Sequence, residues 1–378
     1  MPLHWPKGGF WSKIRFRYGG RHMPDGESAG GAPASYLFEF RGKGSEYFRI
    51  WIVNLALTII TLGVFSAWAK VRTKRYFNGS TFIGDHAFDY HASPLRILVG
   101  RTIALALFIA YEVSAAVDPR YALLSLLLIG FAFPWLVNAS LRFNARYTSY
   151  RNVRFNFTGR YFEAMIAYVI WPIAGFSTLG LLLPAARRAR DYFYTNNHTY
   201  GGRPFRTEFS AGRVYGLVAI AIGVFILAAA AVFAVVFGTE WLIVNKLLHG
   251  HYDPKYSITA VSVATGCFYF LFMSFAPALH TMIVNLCVSN TIFDGRHKLK
   301  SRMSPIVVAW ITVTNAILTL LTLGFFYPWA KVRLARYEMS KLSLQADGDL
   351  DTYVSETLEG QSAVGEEIGS VFSFDFGL

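Results

Sequence analysis

The sequence predicts an α-helical multi-pass membrane protein of about seven transmembrane segments, with interfacial amphipathic helices and short β-hairpins forming a small sheet outside the bilayer. Three observations carry that prediction. Apolar residues make up 54% of the 378-residue chain and charged residues only 16%, a balance outside the range of soluble globular domains. Uncharged runs such as 214–237 exceed the roughly 20 residues with which a helix crosses about 30 Å of hydrocarbon. Finally, a phrase that ends one long apolar run, TLGVFSAWAKVRTKRY from Thr61, recurs as TLGFFYPWAKVRLARY from Thr322. Extended back to Asn54 and Asn315, the two copies share 14 of 23 positions, which marks an internal repeat.

Residues 1–35 hold aromatic and basic residues followed by a Gly, Ala and Ser stretch, without the apolar core of a secretory signal. They are read as a flexible leader. Tyr36–Arg41 (YLFEFR) alternates as a half-buried strand does, and comparable phrases precede each later apolar segment: FDYHASPLRIL from Phe88, FNFTGRYFEAM from Phe155, TEFSAGRVYGL from Thr207 and HKLKSRMSPIV from His297. Upstream partners with Gly, Asn or Asp between make each a β-hairpin, and a last hairpin is read at KLSLQADGDLDTYV from Lys341 with its turn at Asp347-Gly348. The repeating unit is a strand, an apolar segment, a break at Gly or Pro, a basic helix and a hairpin. One repeat-built domain is expected over 36–353. The 354–378 tail follows; from Gln345 onward the chain has eight acidic residues and no Lys or Arg.

Units two and four are long enough for two crossings each, turning near Asp118-Pro119-Arg120 and between Glu240 and Lys255. Units one, three and five have about 25 apolar residues each, enough for one crossing or a shallow re-entrant pair. Single crossings put basic loops on opposite sides, against the positive-inside rule. Re-entry keeps them together but folds the backbone back inside lipid, where unpaired amides are not tolerated. Hydropathy favours seven crossings and charge bias an even number per unit.

The formal charge of +13 is explained by orientation and contact with anionic lipids, so the bilayer is the expected partner, nucleic acid is not, and no protein partner is legible. In the basic helices Trp68, Lys70, Arg72 and Arg75, with Trp329, Lys331, Arg333 and Arg336, set an aromatic side against a cationic one, the pattern of a helix lying among lipid headgroups. The candidate binding residues are the duplicated polar groups Asn54, Thr58, Asn315 and Thr319 in Gly-interrupted segments, a pointer to a solute site. The competing reading is hydrogen bonding between packed helices. Arg101, Glu112, Glu163 and His280 are the ionisable groups in apolar context. Of these, Glu112 is the functional candidate, against an interfacial reading beside Asp118. His249, His251 and Asp253 are read as a solvated loop rather than a metal site, and Cys267 and Cys287 as packing residues. No metal, cofactor or catalytic constellation is expected, and the chain is not read as an enzyme.

NLALTIITLGVFSAWAKVRTKRYF from Asn54, FIGDHAFDYHASPL from Phe82, FPWLVNASLRFNARYTSYRNVRFNFTG from Phe133 and TLGFFYPWAKVR from Thr322 together resemble the YjgN family of bacterial inner-membrane proteins, over about Tyr36–Tyr353. The resemblance implies a multi-pass protein of the bacterial inner membrane built on a domain of unknown function, and it carries no substrate or site residues. Two functions are expected to compete. One is binding or transport of a small solute or lipid through the Asn and Thr positions. The other is a non-catalytic membrane scaffold that organises lipid through basic helices and a cytoplasmic hairpin sheet.

Overall fold

The structure, a computed structural model, describes residues 34–248 and 254–347. Most of the leader and all of the 354–378 tail lie outside these residues, as do His249, His251 and Asp253 and the turn at Gly348.

Ten short strands form one closed antiparallel barrel in which chain neighbours are spatial neighbours, and β1 (Ala34–Phe40) closes the ring against β10 (Leu342–Ala346). Between them run β2 (Thr81–Ile83) and β3 (His86–Tyr90), β4 (Thr148–Tyr150) and β5 (Val153–Phe157), β6 (His198–Tyr200) and β7 (Arg203–Thr207), then β8 (Thr291–Phe293) and β9 (His297–Ser301). The expected sheet is thus a barrel with no free edge. The last strand differs most from its expected pairing. β10 is already bonded to β9 on one side and to β1 on the other, so β1 completes the fifth hairpin.

Strands β1, β3, β5 and β7 each bond one neighbour with their first half and the other with their second. In β1, Ala34–Leu37 pair with β10 and Phe38–Phe40 with β2. This stagger tilts the strands and stacks their inward residues. Five cross-strand pairs fill the interior: Phe38 with Ile83, Phe88 with Tyr150, Phe155 with Tyr200, Phe205 with Phe293, and Leu299 with Leu344. The four phenylalanines stack in succession at centroid spacings of 6.5, 6.3 and 6.4 Å. The Tyr150 hydroxyl donates to the Ile83 carbonyl at 2.9 Å and that of Tyr200 to the Tyr150 carbonyl at 3.0 Å. Buried tyrosine oxygens are thereby satisfied inside an apolar plug. The barrel is a packed core and not a channel.

Each strand pair is joined to the next by a helical hairpin. These are α1 (Gly44–Ile60) with α2 (Ser66–Gly79), α3 (Pro94–Val117) with α4 (Pro119–Arg146), α5 (Tyr161–Met165) and α6 (Trp171–Ser177) with α7 (Leu183–Asn196), α8 (Ala211–Leu248) with α9 (Pro254–Ser289), and α10 (Pro305–Leu321) with α11 (Tyr327–Ser340). A π-helical segment, Ile166–Ile170, lies between α5 and α6. Four helices, α3, α4, α8 and α9, have the length and apolarity to cross a membrane, rather than the seven segments expected. The difference lies in α1, α10 and the α5–α6 run, which turn back after at most 17 residues, about 25 Å at 1.5 Å per residue.

The turn that reverses them has the same geometry three times. Leu62, Leu179 and Leu323 have φ of 50°, 53° and 50°, and the following Gly63, Gly180 and Gly324 have φ of 92°, 93° and 95°. The preceding threonine does two jobs. Its hydroxyl donates to the carbonyl four residues back, at 2.7, 2.8 and 2.7 Å for Thr61, Thr178 and Thr322. It also accepts the amide of Phe65, Leu182 or Phe326 four residues on, at 2.9, 3.2 and 2.9 Å. Each glycine amide donates in turn to the carbonyl of residue 58, 175 or 319. The side chain thus supplies what water cannot, and re-entry becomes compatible with hydrocarbon. The tip leucines are 94, 97 and 90% exposed at the end farthest from the barrel.

Two outcomes are expected. Because all hairpins belong to one barrel, single cysteines at Asp85, Asn152 and Arg296 in a Cys-free chain should all react with an impermeant thiol reagent from one side of the membrane only; labelling of one from each side would contradict the barrel. Thr322→Val should lower stability in detergent by about 1–3 kcal/mol by stranding the Phe326 amide, read as a fall in the thermal midpoint, and Leu323→Ala should change it far less.

Candidate functional site

The helices return toward the barrel with their small and aromatic faces inward. Ala67, Val71 and Ile97 pack on Tyr90 and Phe143, and Val332 packs on Phe40 and Tyr47. Lys70 and Lys74 follow Ala67 and Val71 at i+3 spacing on the same side of α2, and with Lys331 they line a groove of about 460 Å³ between α1, α2, α3 and α11. Arg101 of α3 joins them, hydrogen-bonded to Ser66, and Asn54, Thr58 and Thr73 complete the polar wall. Four cations line the groove and no carboxylate does. Counted along the helices from their barrel ends, the four cations sit roughly 7–14 Å out and Asn54 about 15 Å.

Asn54 is 5% exposed, and neither its amide nitrogen nor its carbonyl oxygen has a hydrogen-bond partner. Its duplicate behaves differently. Asn315 donates to the Ala330 carbonyl at 3.0 Å and accepts from Arg333 at 3.2 Å. The corresponding Arg72 instead lies 5.4 Å over the Phe65 ring. Asn315 is therefore a packing asparagine joining α10 to α11, and the expected pair of sites reduces to the Asn54 side. Thr58 returns its hydroxyl to the Asn54 carbonyl at 2.6 Å, while Thr319 lines a separate slot between α10 and α11.

The expected headgroup residues also divide. Arg75 donates to the Tyr90 carbonyl at 3.2 Å and Arg336 to the Gly42 carbonyl at 2.9 Å, so both tie a helix to the end of a strand. Trp68 packs with Phe65 at 6.0 Å, and Trp329 lies 4.9 Å from Phe48. Lys331 is 5.7 Å from the Phe77 ring and 5.3 Å from that of Tyr327. Glu112 is exposed on α3, Glu163 accepts from Asn197 at 3.2 Å, and His280 lies 3.2 Å from Arg187. Cys267 and Cys287 are free thiols. Among the described residues no cluster of three His, Cys, Asp or Glu side chains is placed to hold a metal ion.

Sequence reasoning passed over Arg101 because a single arginine near a helix end reads as interfacial. Its partner Ser66 lies 35 positions away, and no local pattern links them. The sequence reading allows unit three to re-enter without recognising its turn, Thr178-Leu179-Gly180, as a third copy of the duplicated phrase.

Lys74 lies where the groove meets a second cavity of about 470 Å³ directly under the barrel, floored by Phe155, Phe205 and Leu299. It is hydrogen-bonded to Asn144 and sits 5.0 Å over the Tyr90 ring. Burial, and then the charge of Lys70, push its pKa down to about 8, while burial pushes that of Tyr90 up to about 12. In the unfolded chain Lys74 keeps its proton to about pH 10.4. Between these values the unfolded state binds the extra proton, so stability rises with pH over that window.

Four helices long and apolar enough to cross a membrane among the described residues, joined with shorter apolar helical hairpins to one barrel, define an integral membrane protein. The chain belongs to the family described as "Bacterial protein of unknown function (DUF898)", whose model matches residues 35–371. It is 24% identical over 362 residues to the inner membrane protein YjgN of Salmonella typhimurium, covering 84% of this chain and 90% of that protein. The protein of the same name from Escherichia coli is 32% identical over 124 residues, 32% of this chain and 31% of that protein. No solved structure matches. The protein is accordingly an inner-membrane protein of the YjgN family.

Raising the pH from about 8 to about 10 should raise the thermal midpoint of the wild-type protein more than that of Lys74→Met, which lacks the titrating group; equal slopes in the two proteins would place the Lys74 ammonium in water.

Proposed function

We propose that this protein binds an oxyanion, such as the phosphoryl group of a small solute or lipid, in the groove beside Asn54, and that it does so without catalysis. The observation that carries this is the buried, unpartnered Asn54 amide in the wall of a groove with four cations and no carboxylate among the described residues. Uncompensated charge at membrane depth is costly, and an orphaned buried amide costs further. A bound oxyanion removes both penalties, because ammonium, guanidinium, amide and hydroxyl donors all converge on it. The filled barrel favours binding over passage along the axis.

The basic segments Arg142–Arg160 and Arg187–Arg213 both connect to one barrel, so the positive-inside rule puts that barrel in the cytoplasm and the groove in the inner leaflet. The scaffold reading draws less support, since Arg75 and Arg336 are spent on strand carbonyls.

Glycerol phosphate added to the delipidated protein should raise the thermal midpoint by mass action. That rise should vanish in Asn54→Leu without loss of basal stability; a wild-type midpoint indifferent to every oxyanion tried would end the reading. Asn315→Leu should instead lower basal stability by about 1–3 kcal/mol and leave the rise intact.

A further inference from the structure

The cationic groove does not stand alone. Tyr327 and Lys331 also form one wall of a second hollow, a slot of about 630 Å³ between α10 and α11. This slot is lined mainly by apolar side chains, among them Ala316, Leu320, Leu323 and Leu334. It also contains Asn315, whose amide is occupied by Arg333 and the Ala330 carbonyl, and the hydroxyls of Thr312 and Thr319. The slot therefore offers little to a charged group and much to a hydrocarbon.

The two hollows are also ordered in depth. The cations sit nearer the barrel, while the slot runs along α10 from Thr312 to Leu320, eight helical steps covering about 12 Å, and ends at Leu323 at the tip of the hairpin. A phospholipid is ordered in the same direction, with its phosphate at the interface and its chains toward the midplane. A soluble oxyanion would fill the groove and leave the slot empty.

Resting on the anion reading above, we infer that the bound group is the headgroup phosphate of an anionic phospholipid, with one acyl chain seated in the α10–α11 slot. Charge selects the head, because zwitterionic headgroups carry a cation that the four basic side chains repel. The slot holds the chain, so affinity resides in the intact lipid and not in its head alone.

Native mass spectrometry of the full chain, delipidated in detergent, tests this with four probes: phosphatidylglycerol, phosphatidylcholine, glycerol phosphate and inorganic phosphate. The expected result is phosphatidylglycerol bound at least about tenfold more tightly than either phosphatidylcholine or glycerol phosphate, tenfold being about 1.4 kcal/mol. Ala316→Phe, which fills the slot from an exposed position, should weaken phosphatidylglycerol about tenfold and leave glycerol phosphate unchanged. Lys70→Gln with Lys331→Gln should weaken both, and if that pair fails to fold, Ala316→Phe still decides the matter. Glycerol phosphate bound as tightly as phosphatidylglycerol, with Ala316→Phe inert, overturns the lipid assignment and leaves the anion reading standing. If none of the three anionic probes is preferred to zwitterionic phosphatidylcholine, both fall together.

Discussion

A peptide group in hydrocarbon has no water to bond, and every element of this protein answers to that constraint. The Thr-Leu-Gly turn is the sharpest case. Three apolar helices of at most 17 residues turn back toward the barrel, and a threonine hydroxyl in each hydrogen-bonds at both ends of the turn. The glycine is required because a φ above 90° strains any side chain with a Cβ. The leucine carries nothing but contact with its surroundings. Given that turn, a helix too short to cross can return, and both ends of every hairpin arrive at the same barrel.

The barrel answers the same constraint from the other side. Strands of three to seven residues are too short to form a stable sheet in pairs, so ten of them close on one another and fill the inside with rings. Closure then fixes the azimuth of each returning helix. The faces that pack on Tyr90, Phe40 and Phe157 are set by the strands, and the lysines left over converge because their helices do. The groove is thus a consequence of two packing decisions made elsewhere.

Much of this order was legible in the chain. Alternating aromatics followed by a small residue or Pro located β1, β3, β5 and β7, turn residues located their upstream partners, and the duplicated phrase located two of the three turns. Two things were hidden. Barrel closure joins residues 34–37 to 343–346, and no local periodicity records a pairing of that range. The fate of the duplicated asparagines was hidden as well, because Asn54 and Asn315 sit in nearly identical sequence, yet Asn315 reaches both the Ala330 carbonyl and Arg333 while Arg72 lies over Phe65 and leaves Asn54 unpartnered. The repeat identified the positions, while the rotamer of a neighbour eighteen residues away decided which was packing and which was open. Hydropathy counting erred for a related reason: a run of seventeen apolar residues has the composition of a crossing whether or not it turns.

The pairing of first strand with last has a bearing on how the protein is made. The strand at Ala34 is synthesised early, yet the strand that covers its open edge ends at residue 346, so some three hundred residues must be inserted before the ring can shut. Until then the growing chain carries an unpaired edge and an incomplete aromatic core at the membrane surface. The helical hairpins are local and can settle one at a time as they leave the translocon, but the cap is all-or-none. A chain truncated anywhere before its tenth strand would therefore reach the membrane and remain uncapped, a natural substrate for quality-control proteases.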